Sequence, residues 1–233
     1  MSFSTDQTWS PRRASLIAGL SLLVMAAVAV IYLSVLVPLI APGDPELTAA
    51  NIAAAEMTFR VGMASMILVA VLDVVASLAL YRLFAPVHRD LSALAAWFRL
   101  AYSAVLLVAT SELVRVPALL DDPEAALRGF DSWIAIWHTG LIFFSVHMLL
   151  LGYVAYRSGF VPRIFGILLA VTGLSYLADG VGLVLVPDYS ISVAAFGFVG
   201  EVALIFWLLI KGTRLRSPQI TTRENSATLA NAS

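Results

Sequence analysis

Residues 133–186 read WIAIWHTGLIFFSVHMLLLGYVAY, then RSGFVPR, then IFGILLAVTGLSYLADGVGLVLV: two long apolar arms around a short basic connection. Each arm exceeds the roughly 20 apolar residues that cross a hydrocarbon core of about 30 Å. The stretch therefore reads as a hairpin of two membrane helices. Both arms also carry groups that lipid rejects, His138 and His147 on the first and Asp179 on the second. Composition extends this reading to the whole chain of 233 residues, which is 61% hydrophobic and only 12% charged. A water-soluble domain has too little polar surface at that composition to cover itself. The net charge of −1 gives no bulk attraction to nucleic acid. With no cysteine, the chain has no disulfide, thiolate zinc site or iron–sulfur cluster.

Working outward, the sequence predicts an all-α, six-helix transmembrane bundle over residues 16–211. A cytoplasmic N-terminal segment over 1–15 precedes it, and a disordered cytoplasmic tail over 212–233 follows. The run from Leu16 to Ala41 is too long for a cleavable export signal, although Arg12-Arg13 precedes it. Pro38 and Pro42 are expected to end this first span. Gly43-Asp44-Pro45-Glu46 places a capping Asp before a first-turn Pro, predicting a short helix outside the membrane to Glu56. The second span is expected over Met57–Phe84 and the third over Leu94 to Arg115. Asp121-Asp122-Pro123-Glu124 repeats the capping pattern and predicts a separate surface helix to Arg128 before span four. A tight turn at Pro187-Asp188-Tyr189-Ser190 leads to the sixth span, Val193 to Ile210.

In this threading Arg12, Arg13, Arg82, Arg89, Arg157, Arg163, Lys211, Arg214, Arg216 and Arg223 fall on one side, ten of the fourteen basic residues. The positive-inside rule makes that side cytoplasmic, with both termini inside a bacterial plasma membrane. The two cytoplasmic connections also resemble one another, Tyr81-Arg82…Phe84…Pro86…Arg89 against Tyr156-Arg157…Phe160…Pro162…Arg163. Common positive-inside loop grammar is the favoured account, and a parallel repeat is the alternative.

Several stretches together resemble a bacterial integral membrane family catalogued as domain of unknown function 4386. They include Leu72-Asp73…Ala79-Leu80-Tyr81-Arg82-Leu83-Phe84, Ala95-Ala96-Trp97-Phe98-Arg99-Leu100 and Trp137-His138-Thr139-Gly140-Leu141. Further ones are His147-Met148 through Gly152-Tyr153, Ser158 through Arg163, Gly173 through Asp179, and Gly200-Glu201…Trp207-Leu208-Leu209. The resemblance implies six membrane helices and brings no assigned activity.

Function must then be sought in the intramembrane polar groups, since a charge at a helix centre costs about 2.5–3.5 kcal/mol on insertion scales. Counted from Arg82, Arg157 and Lys211, the side chains Asp73, His147 and Glu201 all stand about 14–15 Å into the membrane. One histidine and two carboxylates at a common depth make a candidate substrate or proton site. Three separate interhelical hydrogen bonds are the structural alternative. Arg99, about 6 Å lower on the adjacent antiparallel span, is expected to pair with Asp73. On span five, Thr172, Ser175, Tyr176 and Asp179 follow i, i+3, i+4, i+7 spacing and make one polar stripe. His138, at a similar outer depth, is a candidate partner of Asp179. Gly166, Gly173 and Gly180 repeat every seven residues on another face, where a neighbouring helix can approach closely. Ala194 and Gly197 repeat the device beside Glu201.

The site candidates are thus Asp73, His147, Glu201, Asp179, Tyr176 and His138, with Asp73–Arg99 as a structural ion pair. No metal or cofactor is expected: His138 and His147 lie 900° apart on one helix, which puts them on opposite faces and disfavours haem. The phosphate-loop, HExxH and serine-triad patterns are absent. The expected partner is the bilayer, with a small solute or proton as the candidate ligand and no signature of oligomeric state. Three function classes remain open: a small-solute or proton-linked transporter, an accessory or sensory membrane protein with structural polar groups, and an intramembrane enzyme using Ser145, Ser175 or His147.

Overall fold

The structure, a computed structural model, describes residues 9–186, 189 and 194–215, with the backbone alone at 194–198. Among the described residues it is all-helical apart from turns, and five helical segments are long and apolar enough to cross a membrane. The helices are α1 (Pro11–Ile31), α2 (Pro45–Ala54), α3 (Glu56–Phe84), α4 (Arg89–Arg115), α5 (Pro123–Arg157), α6 (Arg163–Leu185) and α7 (Ala194–Ile210). The five segments contain α1, α3, α4, α5 and α6. The shorter α7 packs beside them.

Helix starts follow local chemistry. Ser10, Asp44 and Asp122 each accept a hydrogen bond from the backbone N–H three residues on, and each is followed by a proline. A proline there sacrifices only an N–H that the helix leaves unpaired. The first helix accordingly begins at Pro11, inside the stretch expected to be an N-terminal segment. Its far end does not simply stop at Pro38. The ladder widens to a π turn over Tyr32–Leu36 and tightens to a 3-10 turn over Val37–Leu39. Pro38 has no N–H to donate and its ring crowds the carbonyl four residues back, so the preceding turn must open. The separate surface helix expected to Arg128 is not formed, because residues 123–157 make one continuous helix. Gly129 does not break it: the glycine is helical and lets α5 pass close to Val116, whose Cγ2 would lie 3.0 Å from an added Cβ.

Each long helix packs on its sequence neighbour, and α1 packs on both α3 and α7, which closes the ring α1–α3–α4–α5–α6–α7. The tightest seam is α5 against α6. A Cβ on Gly166 would lie 2.7 Å from the Gly152 carbonyl oxygen, and one on Gly173 would lie 2.9 Å from that of Ser145. The glycines spaced by seven are the face on which the two backbones meet. At the other end of the chain, Ser15 on α1 donates to the Leu208 carbonyl at 2.8 Å, and a 3-10 turn over Gly212–Arg214 continues past α7. The start of the expected tail is thus a turn packed on α1, and residues 216–233 lie outside the described residues.

One end of the ring is plugged by α2. Thr48 exchanges two hydrogen bonds with the backbone of Ala41, and Asn51 donates to the Leu39 carbonyl at 3.3 Å, tying α2 to the end of the first span. Ile52 of α2 is buried in one apolar cluster with Phe59, Leu113 and Trp133. A second, larger cluster fills the other half, from Leu80 and Phe84 to Leu151 and Leu208.

Candidate functional site

Asp73 on α3, Arg99 on α4 and His147 on α5 are 0%, 1% and 1% exposed, and they meet in the interior. Arg99 Nη2 lies 2.5 Å from Asp73 Oδ1. Arg99 Nη1 lies 3.2 Å from His147 Nε2, and the other ring nitrogen, Nδ1, lies 2.8 Å from the Ala95 carbonyl oxygen. Ala95 and Arg99 are four residues apart, so the imidazole spans one turn of α4. Its protonation follows from its partners. A carbonyl only accepts and a guanidinium only donates, so the proton sits on Nδ1, Nε2 accepts, and the ring is neutral. His147 in this arrangement orients Arg99 and carries no charge.

The contact is carried by one oxygen and one nitrogen: Asp73 Oδ2 and Arg99 Nε have no hydrogen-bond partner among the described residues. An aromatic wall holds the group in place. The Arg99 guanidinium carbon sits 5.2 Å from the centre of the Phe144 ring. Phe144 in turn stacks on His147 at 5.5 Å and contacts Tyr102 at 4.8 Å and Tyr176 at 5.8 Å. The Tyr102 hydroxyl accepts from Trp137 Nε1 at 2.9 Å.

Glu201 on α7 is partly buried, and its Oε1 accepts from the Tyr176 hydroxyl at 2.6 Å. Tyr176 contacts Phe144, which packs on Arg99 and His147, so Glu201 joins the same side-chain group. Among the described residues this group holds two carboxylates and one guanidinium. Ala194 and Gly197, expected on the Glu201 face, have side chains outside the described residues.

The remaining candidates form a separate group. Asp179 accepts from the Tyr189 hydroxyl at 2.8 Å, and this hydrogen bond raises the Tyr189 hydroxyl above its ordinary pKa. His138 is within electrostatic reach of Asp179. It lies nine residues from His147 on α5, about 13 Å along the helix. The stripe on α6 divides accordingly: Tyr176 serves Glu201, Asp179 serves Tyr189, and Ser175 bonds its own backbone at Val171. Ser145 likewise donates to the Ile142 carbonyl, at 2.6 Å. Among the described residues, no three His, Asp or Glu side chains are grouped as metal ligands.

Tyr102, Phe144 and Trp137 enter the site without having been singled out as candidates. Their spacing was available: Tyr102 is three residues from Arg99, and Phe144 is three from His147, so each shares a helix face with a buried polar residue.

An "Uncharacterized protein" of Archaeoglobus fulgidus is 33% identical over 148 residues, covering 64% of this chain and 82% of that one. No solved structure matches the chain. The family described as "Domain of unknown function (DUF4386)" matches residues 17–212, which contain the whole Asp73–Arg99–His147–Glu201 cluster, and the protein belongs to that family.

Proposed function

We propose that this protein is a proton-coupled transporter of a small solute, with Glu201 as its proton-carrying group. The observation that carries the reading is the charge balance of the buried cluster. Asp73 and Glu201 oppose a single guanidinium, because His147 is held neutral by its two hydrogen bonds. In a low-dielectric interior a net charge is expensive, so the closed arrangement needs one further positive charge. A proton on Glu201 supplies it. Tyr176 occupies Oε1 as a donor, which leaves Oε2 to carry that proton. Its release leaves the cluster at −1, and the helices must then admit water or a cationic group. Proton occupancy is in this way linked to the opening of the ring at the α6–α7 seam that carries Tyr176 and Glu201.

In this reading α7 is the sixth span, both termini are cytoplasmic and the membrane is the bacterial plasma membrane. Residues 16–211 form the transport domain, between a short N-terminal segment and a cytoplasmic tail. The basic residues of the α3–α4 and α5–α6 turns support that orientation.

The test is proton exchange at Glu201. Protein in bilayers is titrated while the infrared carboxylic-acid stretch is followed, and liposomes with an internal pH dye report flux under an imposed gradient. A titrating carboxyl band that disappears in Glu201→Gln is expected. If the wild-type band set equals that of Glu201→Gln and both liposome preparations behave like protein-free vesicles, the reading fails. A second reading, a structural role in an accessory membrane protein, is favoured by the small space at the network: the cavity beside His147 is about 10 Å³. It expects Glu201→Gln to change nothing but local packing.

A further inference from the structure

Between His147 and the turn joining α3 to α4 lies that cavity, lined by Ser77 and Tyr81 of α3, Ser92 and Ala95 of α4, and His147 and Leu151 of α5. Its size is that of one water, which needs about 10–15 Å³. Ser92 is 4% exposed, and its hydroxyl oxygen has no hydrogen-bond partner among the described residues. That is unusual for this bundle. Other buried helical hydroxyls here donate to a backbone carbonyl, on their own helix (Ser103 to Arg99, Thr110 to Leu106, Ser145 to Ile142) or on a neighbour (Ser15 to Leu208, Ser77 to Ala96). Ser92 makes no such bond and lines the cavity instead. Across the space, Ser77 spends its proton on the Ala96 carbonyl at 2.9 Å, so its oxygen remains able to accept. No ionised side chain lines the walls, so the space suits a neutral hydrogen-bonding molecule and not an ion.

We propose that this cavity is a water site. One water is held between Ser92 Oγ and Ser77 Oγ beside the ring of His147, whose two nitrogens are already engaged by Arg99 and the Ala95 carbonyl. The water satisfies the Ser92 hydroxyl. The site rests on the cavity and the Ser92 hydroxyl, independently of the proton-coupled reading above.

The experiment is water-edited solid-state NMR of full-length protein in bilayers, with 15N-labelled histidine and His88→Asn and His138→Gln in the background. The remaining histidine signal is then His147. Magnetisation started on water is expected to reach its ring nitrogens at short mixing times, and to be lost in Ser92→Val, whose methyls fill the space. Ser92→Ala, which removes a single heavy atom and tolerates folding more readily, is expected to weaken the transfer as well. Absence of transfer in the Ser92 background, or transfer unchanged by both substitutions, overturns the water site. Glu201→Gln separates the two ideas: it should leave this transfer intact while abolishing proton exchange. Missing proton exchange with the water signal present therefore refutes only the coupling.

Discussion

Replacing Arg99 by Ala removes the cation that contacts Asp73 among the described residues, and both side chains are buried, at 1% and 0% exposed. Breaking a buried pair by deleting one partner costs about 3–5 kcal/mol, because the surviving charge is left uncompensated. Two further losses fall within or add to that range. His147 Nε2 loses its donor, a buried acceptor left open at about 1–3 kcal/mol, and Phe144 loses its cation. Arg99→Ala is therefore expected to destabilise the bundle by at least about 3 kcal/mol. Adding Asp73→Asn removes the stranded charge while keeping the shape, and about half of the loss should return. The open His147 acceptor and the void left by the arginine stem keep the rescue incomplete. Denaturant titration of protein in bicelles, followed by tryptophan fluorescence, gives the four corners of the cycle. If the double variant is no more stable than Arg99→Ala, the Asp73–Arg99 charge is not what holds this part of the interior, and the reasoning is refuted.

Three other outcomes follow from the geometry. Gly166→Val should force α5 and α6 apart, since even a Cβ would lie 2.7 Å from the Gly152 carbonyl. The expected loss is about 1–3 kcal/mol in the same titration, with little effect from Ile167→Val on an exposed face. The Tyr189 hydroxyl donates to Asp179 and titrates above its ordinary value of 10.0, so the contact contributes stability below that pH and loses it as pH rises through the raised value. Ultraviolet titration should see this phenol move down in Asp179→Asn; an unchanged midpoint would mean the hydrogen bond is not formed in the membrane. A single cysteine at Asp122 should react with an impermeant maleimide from outside intact cells and one at Arg89 should not, and the reverse pattern would invert the threading.

Much of the architecture was legible because it depends on properties that run along one helix. Apolar length marks the spans, and an acidic or hydroxyl cap before proline marks where α2 and α5 start. The glycines at 166, 173 and 180 show which face of α6 must be close to a neighbour. The misreading of α5 has a local cause. The Asp122-Pro123 cap does start a helix, but the sequence up to Trp133 holds no proline or left-handed glycine to stop it, so α5 runs unbroken to Arg157. The first span ends at Leu39, beside Pro38 as the proline pattern predicts, and what the pattern did not show is the π turn over Tyr32–Leu36 that precedes it.

By itself, the sequence determines that this chain forms helices long and apolar enough to cross a membrane, and it sets the expected depth of their polar residues. Rise per residue and hydropathy are one-dimensional quantities, and they are read directly from spacing. The tertiary structure alone decides that Arg99 reaches both Asp73 and His147, and that Glu201 is met by Tyr176 and not by the imidazole. It also decides that His147 is clamped as a neutral ring between Arg99 and the Ala95 carbonyl. Those relations depend on the rotation of each helix about its own axis and on the order of helices around the ring, and side-chain packing sets both only once α1 has closed on α7.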